Sequence, residues 1–94
     1  MFKKELLVFR QKVRTLAYVV TVHADEAMSD DDLLPLDLEN VILTGEIVER
    51  QTDRETGELK YRVVGATLDG DSAEAVVKLG ATGKLIFLTV YLIV

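Results

Sequence analysis

Leu59-Lys-Tyr-Arg-Val-Val-Gly-Ala-Thr-Leu68 runs through Asp69-Gly70-Asp71 into Ser72-Ala-Glu-Ala-Val-Val-Lys-Leu79, and this stretch decides the fold. In its first segment Leu59, Tyr61 and Val63 take one side and Lys60, Arg62 and Val64 the other, which is the period of two of a strand. Asp-Gly suits a hairpin turn because both positions tolerate positive φ. The pattern extends outward in both directions. Glu46 to Thr52 predicts a preceding strand that turns at Asp53–Gly57, and Lys84 to Leu92 predicts a fourth strand beyond a turn at Gly80–Gly83. That last run is nearly continuous Leu, Ile, Phe, Val and Tyr, which belongs inside a sheet. Four strands joined by short turns make an antiparallel meander. Gly65, Gly70, Gly80 and Gly83 read as turn or bulge glycines.

Upstream the spacing changes. Phe2, Leu6, Phe9, Val13 and Leu16 recur every three or four residues, on one side of an amphipathic helix. Ala17 to Val22 is rich in β-branched and aromatic residues and predicts a strand covered on both faces. His23 to Asp32 reads as a short helical turn followed by a polar loop, with Ala24, Ala27 and Met28 facing inward. Pro35 interrupts, Asp37 is a good N-cap, and Leu38, Val41 and Ile42 form the apolar stripe of a helix over 38–44. Gly45 fits the position after a helix where positive φ is wanted. The fold class is therefore α+β, with N-terminal helices followed by a mostly antiparallel curved sheet, in a single small domain over residues 1–94.

Size and composition narrow the functions. A chain of 94 residues buries roughly 60–65% of its unfolded surface, so a partner or a dimer would help stabilise it. There is no cysteine, which excludes disulfides, thiolate zinc sites and cysteine nucleophiles. The amino terminus lacks the apolar stretch of a secretory signal, no apolar run is long enough to span a bilayer, and the cytoplasm is the expected compartment with no membrane partner. The net charge of -5 is uneven: Lys3, Lys4, Arg10, Lys12 and Arg14 against Glu5 put residues 1–14 at +4, leaving -9 for the rest. Only the first helix, with Lys60, Arg62, Lys78 and Lys84, offers a basic surface to a nucleic acid, and a solvated helix face explains it more simply. An acidic body suits a basic partner.

His23 is the single histidine and the one side chain with an ordinary pKa near neutrality. It stands at a strand-to-helix junction, where it serves either chemistry or the capping of the next turn. Asp25, Glu26, Asp30, Asp31 and Asp32 lack the glycine and register of a calcium loop, and no ligand spacing for zinc exists, so no metal and no cofactor is expected. Glu46 and Glu49 can pair across strands with Tyr61 and Arg62. Tyr91 lies in the apolar last strand, where its ring packs and its hydroxyl seeks one partner.

His23-Ala-Asp-Glu-Ala-Met28, then Leu38-Glu-Asn-Val-Ile-Leu-Thr-Gly-Glu-Ile-Val-Glu49, then Leu88-Thr-Val-Tyr91 resemble the uncharacterised domain-of-unknown-function family 4258, over about Thr15 to Tyr91. Its members start a short helix with His-Ala-x-x-x-Met, end a second with Gly-Glu-Ile-Ile-Glu, and carry Thr-Val-Tyr in a last strand. The family is similar in predicted fold to small ribonuclease-type bacterial toxins. The resemblance implies RNA cleavage without metal: His23 as acid or base, Arg62 as phosphate clamp, and Tyr91 or Lys60 as a secondary hydrogen-bond donor. This chain has Ala27 where members often carry arginine, and Ser29-Asp-Asp-Asp32 where they carry Arg-Gly-Ile. Carboxylates thus stand where RNA would approach. The preferred expectation is a non-catalytic relative that acts by protein–protein interaction, with a protein partner or as a homodimer, using the Ile86–Val94 end for strand addition. A metal-independent endoribonuclease is the alternative, and RNA is a partner only in that case.

Overall fold

The computed structural model describes all residues, Met1–Val94. Its elements, in chain order, are α1 (Lys3–Arg14), β1 (Tyr18–Val20), α2 (Val22–Asp30), α3 (Pro35–Thr44), β2 (Glu46–Thr52), β3 (Leu59–Ala66), β4 (Ser72–Leu79) and β5 (Leu85–Leu92). The five strands form one open sheet in the order β1-β5-β4-β3-β2, antiparallel throughout except for β1, which runs parallel to β5. The meander is present as predicted. The helices do not all precede the sheet, because β1 comes before α2 and α3.

All three helices bury their apolar stripes on one face of the sheet. Phe9 and Val13 of α1, Ala24 and Met28 of α2, and Leu38, Val41 and Ile42 of α3 share one core with Ile47, Tyr61, Val63, Ala73, Ala75, Val77, Leu85, Phe87 and Val90. Burying the valine, leucine, isoleucine, phenylalanine and methionine side chains among them is worth about 1.5–3 kcal/mol each. Side chains alternate across a strand, so the other face of the sheet is left without helices. Each hairpin closes on a glycine of positive φ: Gly57, Gly70 and Gly83. At the second hairpin only Gly70 is left-handed. Its N–H donates to Thr67 O at 3.0 Å, so the turn is built on Thr67–Gly70 rather than on two left-handed residues.

Several local readings are corrected. The segment 17–22 is not a doubly covered strand: β1 has three residues, lies at the sheet edge, and exposes Val19. Thr21 ends it, because its hydroxyl accepts the N–H of Ala24 at 3.1 Å and starts α2 while its own N–H still donates to Phe87 O at 3.2 Å. What read as a turn and loop after His23 is therefore a nine-residue helix. Asp37 is not an N-cap. Proline is well placed in a first helical turn, so α3 starts at Pro35. The Asp37 carboxylate then reaches back to Leu34 N–H at 2.9 Å and across to Leu68 N–H at 3.0 Å. In the last strand β1 pairs only with Leu85, Ile86 and Phe87, so the remainder of β5 has no strand neighbour on that side, where Asp31 accepts the Leu92 N–H at 2.8 Å.

Gly45 is extended (φ -88°), not left-handed, and Gly65 sits inside β3 rather than in a turn. Both are glycine because α3 meets β3 at backbone distance: a Cβ on Gly65 would lie 2.2 Å from Val41 O, and one on Gly45 2.4 Å from the same oxygen. The end of α3 is held by Arg10, whose guanidinium donates to Ile42 O at 3.2 Å and to Gly45 O at 2.9 Å. A cation at a helix C-terminus is favourable, so this member of the basic first helix has a structural partner. The opposite situation occurs at the end of α1. There Leu16 is exposed and held at φ 58°, the position that glycine usually fills after a helix.

Two substitutions test this account by urea unfolding. Gly65→Ala should lower stability by roughly 1–3 kcal/mol, because backbone rather than a side-chain tip must move. Leu16→Gly should raise it by about 1 kcal/mol through relief of the left-handed strain.

Candidate functional site on the uncovered sheet face

Four side chains from four adjacent strands form a connected network on the face without helices. Arg62 on β3 donates through Nη1 to Glu49 Oε1 at 2.7 Å and through Nη2 to Glu74 Oε1 at 2.8 Å. Tyr91 on β5 donates its hydroxyl to the second oxygen of Glu74. Gln51 adds a bond to Glu49 at 3.2 Å. Glu74 is the buried member, 4% exposed, although it belongs to the uncovered face. Its neighbours Arg62 and Tyr91 cover it.

Two β-bulges aim these residues. In β2, Ile47 opposes Val63 and Glu49 opposes Arg62, so Val48 is the extra residue. In β5, Phe87 opposes Val77 and Thr89 opposes Val76, so Leu88 is extra. Strict alternation from the buried Ile47 and Phe87 would send Glu49 and Tyr91 into the core. Each bulge reverses the parity beyond it and turns them outward, a common use of bulges beside functional residues. Glu74 was not singled out from sequence. The available signal is a lone acid between Ala73 and Ala75, ahead of the apolar pair Val76-Val77.

Of the residues singled out from sequence, the network unites Arg62 and Tyr91. Lys60 is one turn of the pleat away and pairs with Asp53 at 3.9 Å within its own hairpin. His23 is the second residue of α2, is exposed, and makes no side-chain hydrogen bond or ion pair. It emerges beside the middle of β5, because the Thr21 N–H and hydroxyl are tied to Phe87 O and Leu88 O. Glu46 and Tyr61 do not join: Tyr61 points into the core, where its ring meets Phe9 edge-on at 5.2 Å. No group of three or more possible metal-binding side chains occurs, and no helix is long and apolar enough to cross a membrane.

A model of the family described as Domain of unknown function (DUF4258) matches residues 20–92. The chain belongs to that family. The matched span contains α2, α3 and the whole meander, and therefore all four residues of the network, whereas α1 lies outside it. No curated protein and no solved structure matches the chain.

The electrostatics follow from the contacts. The Arg62 guanidinium holds the Glu74 carboxyl below the ordinary carboxylate range, and Tyr91 adds to this. Arg62 also lowers Glu49, helped by Gln51. The Tyr91 phenol is raised by the hydrogen bond that its own hydroxyl donates to Glu74. Near neutral pH the network thus has two anionic carboxylates, one guanidinium and a neutral phenol, a net charge of -1. Elsewhere, burial and then the hydrogen bond to Glu39 push the Tyr18 phenol up to about 12.

A carboxyl whose pKa is lowered by folding stabilises the fold above its unfolded value and loses that contribution as pH falls through the folded one. Acid should therefore destabilise the protein below about pH 4.5, and Glu74→Gln should flatten that fall in urea titrations. A phenol raised by folding contributes in the opposite sense, present below about pH 10 and lost above its folded value. Absorbance titration should show Tyr18 ionising near 12, and Glu39→Gln should bring it down.

Proposed function

We propose that this domain acts by contact with another protein and not by catalysis. One observation carries the reading: Arg62, the cation suited to clamping a phosphate, already has both terminal nitrogens on carboxylates. The network is anionic, so it repels a polyanion. Its carboxyls titrate below neutrality and its phenol above, so it holds no proton acceptor and donor pair poised for transfer near pH 7. In this reading the network is a polar brace that sets the register of four strands. The cysteine-free sequence and the shared core support a cytoplasmic protein with one domain over residues 1–94.

The second reading is a metal-independent endoribonuclease of toxin type, in which helices that precede an antiparallel meander would be the shared feature. The observation in its favour is that Arg62 and Tyr91 do converge on one face, with His23 emerging beside the strand that carries Tyr91. There His23 serves as acid or base, Arg62 as clamp, and Tyr91 or Lys60 as donor.

Incubating the purified protein with total cellular RNA without metal, beside His23→Ala, separates the two. The binding reading expects no cleavage above buffer from either protein. Cleavage by the wild type that His23→Ala abolishes overturns it in favour of the ribonuclease.

A further inference from the structure

Three segments far apart in sequence meet at one end of the sheet. The Asp37 carboxylate joins Leu34 N–H and Leu68 N–H, which brings the start of α3 against the β3–β4 turn. Asn40 reinforces the contact by donating to Ala66 O at 2.8 Å and Thr67 O at 3.1 Å. Asp31 accepts the Leu92 N–H, and the Ile93 N–H donates to Ser72 O at 2.9 Å, which draws the end of β5 to the same place.

Around the buried Asp37 stand three leucines in water: Leu34 is 64% exposed, Leu36 60% and Leu68 58%. Exposed leucines scattered singly are ordinary, but here the backbone N–H groups of Leu34 and Leu68 meet on one carboxylate, Leu36 is its chain neighbour, and the exposed Ile93 follows the neighbouring strand end. None is needed by the fold, since the core is complete without them.

Their setting is all of one sign. Residues 30–39, 67–72 and 92–94 contain seven acids and no lysine or arginine. Asp30, Asp32, Asp69 and Asp71 are exposed. Apart from Asp31 and Asp37, which accept backbone N–H groups, and Glu39, which accepts the Tyr18 hydroxyl, these acids have no side-chain partner. Salt bridges in this protein all lie elsewhere.

We infer that the Leu34–Leu36–Leu68 patch is a docking surface for a cationic amphipathic segment of a partner protein, one that presents apolar side chains flanked by lysine or arginine. The leucines supply the contact that excludes water, and the rim of carboxylates selects positive charge and rejects nucleic acid and acidic peptides. A second copy of this chain fits less well. Its one basic segment, α1, has Phe9 and Val13 buried in its own core and exposes only the adjacent pair Leu7 and Val8, not an apolar stripe at helical spacing. The inference rests on the binding reading for the existence of a partner, but on none of the residues of the Arg62 network.

The test is backbone-amide NMR of the full chain titrated with a synthetic peptide of leucine and lysine at helical spacing, beside a peptide with glutamate in place of lysine. The inference expects amide shifts at residues 33–39 and 67–71 with the lysine peptide alone. Affinity should fall about tenfold or more in Leu36→Ser/Leu68→Ser. It should fall several-fold in Asp30→Asn/Asp69→Asn and on raising salt from about 50 to about 500 mM. Equal binding of both peptides, no shifts at all, or self-association through the patch in sedimentation each overturns it. Shifts centred instead on Val64, Val76 and Tyr91 overturn the patch while leaving the binding reading standing. RNA cleavage abolished by His23→Ala removes the binding reading itself.

Discussion

The carbonyl of Val41 occupies the space where a side chain on residue 45 or residue 65 would begin. Much of the molecule depends on that close approach. It seats α3 against β3 at backbone distance, which lets Leu38, Val41 and Ile42 reach Val63 and the centre of the core. The two ends of the helix are then secured by charged side chains, one from α1 and one from the helix's own first turn. Arg10 satisfies carbonyls at the C-terminus, and Asp37 ties the first turn to the β3–β4 hairpin. Because the Arg10 contacts and the bond from Leu68 N–H to Asp37 span 31 to 35 residues, they act on placement rather than on local conformation. The leucine patch is a by-product of the same geometry, brought together by the carboxylate that anchors the helix.

The uncovered face of the sheet presents a different balance. Burying Glu74 without a partner would be costly, since an ionised carboxylate loses far more solvation than a neutral group. The Arg62 fork and the Tyr91 hydroxyl meet that need, with Glu49 taking the second arm of the guanidinium. The arrangement is self-consistent as a brace across β2, β3, β4 and β5. It is also what makes the face a poor clamp for phosphate, because the positive charge is already matched.

Much was legible in the chain. The amphipathic period of Phe2 to Val13 marked α1, the alternation of Leu59 to Val64 marked β3, and the nearly continuous apolar run after Lys84 marked an interior strand. These readings succeed because burial of one face imposes a period directly on the residue order. The residues Arg62 and Tyr91 were also visible as candidates, and the three segments that carry the family resemblance lie within the matched span. Misreadings cluster where one residue has two roles. Thr21 both ends a strand and starts a helix, Asp37 serves the third position of a helix and a distant turn, and Gly45 and Gly65 answer to packing rather than to φ.

By itself, then, the sequence determined the first and third helices, the four strands of the meander in their order, the absence of cysteine chemistry and the division between a basic first helix and an acidic remainder. Tertiary structure alone decided that β1 runs parallel beside β5, that Val48 and Leu88 bulge, and that Glu74 is the centre of the polar network. The physical reason is the range of the interactions. Periodicity records which side of an element faces the core, but a bulge or a cross-strand ion pair depends on register between segments that are distant in the chain. A shift of one residue in that register sends a side chain to the opposite face.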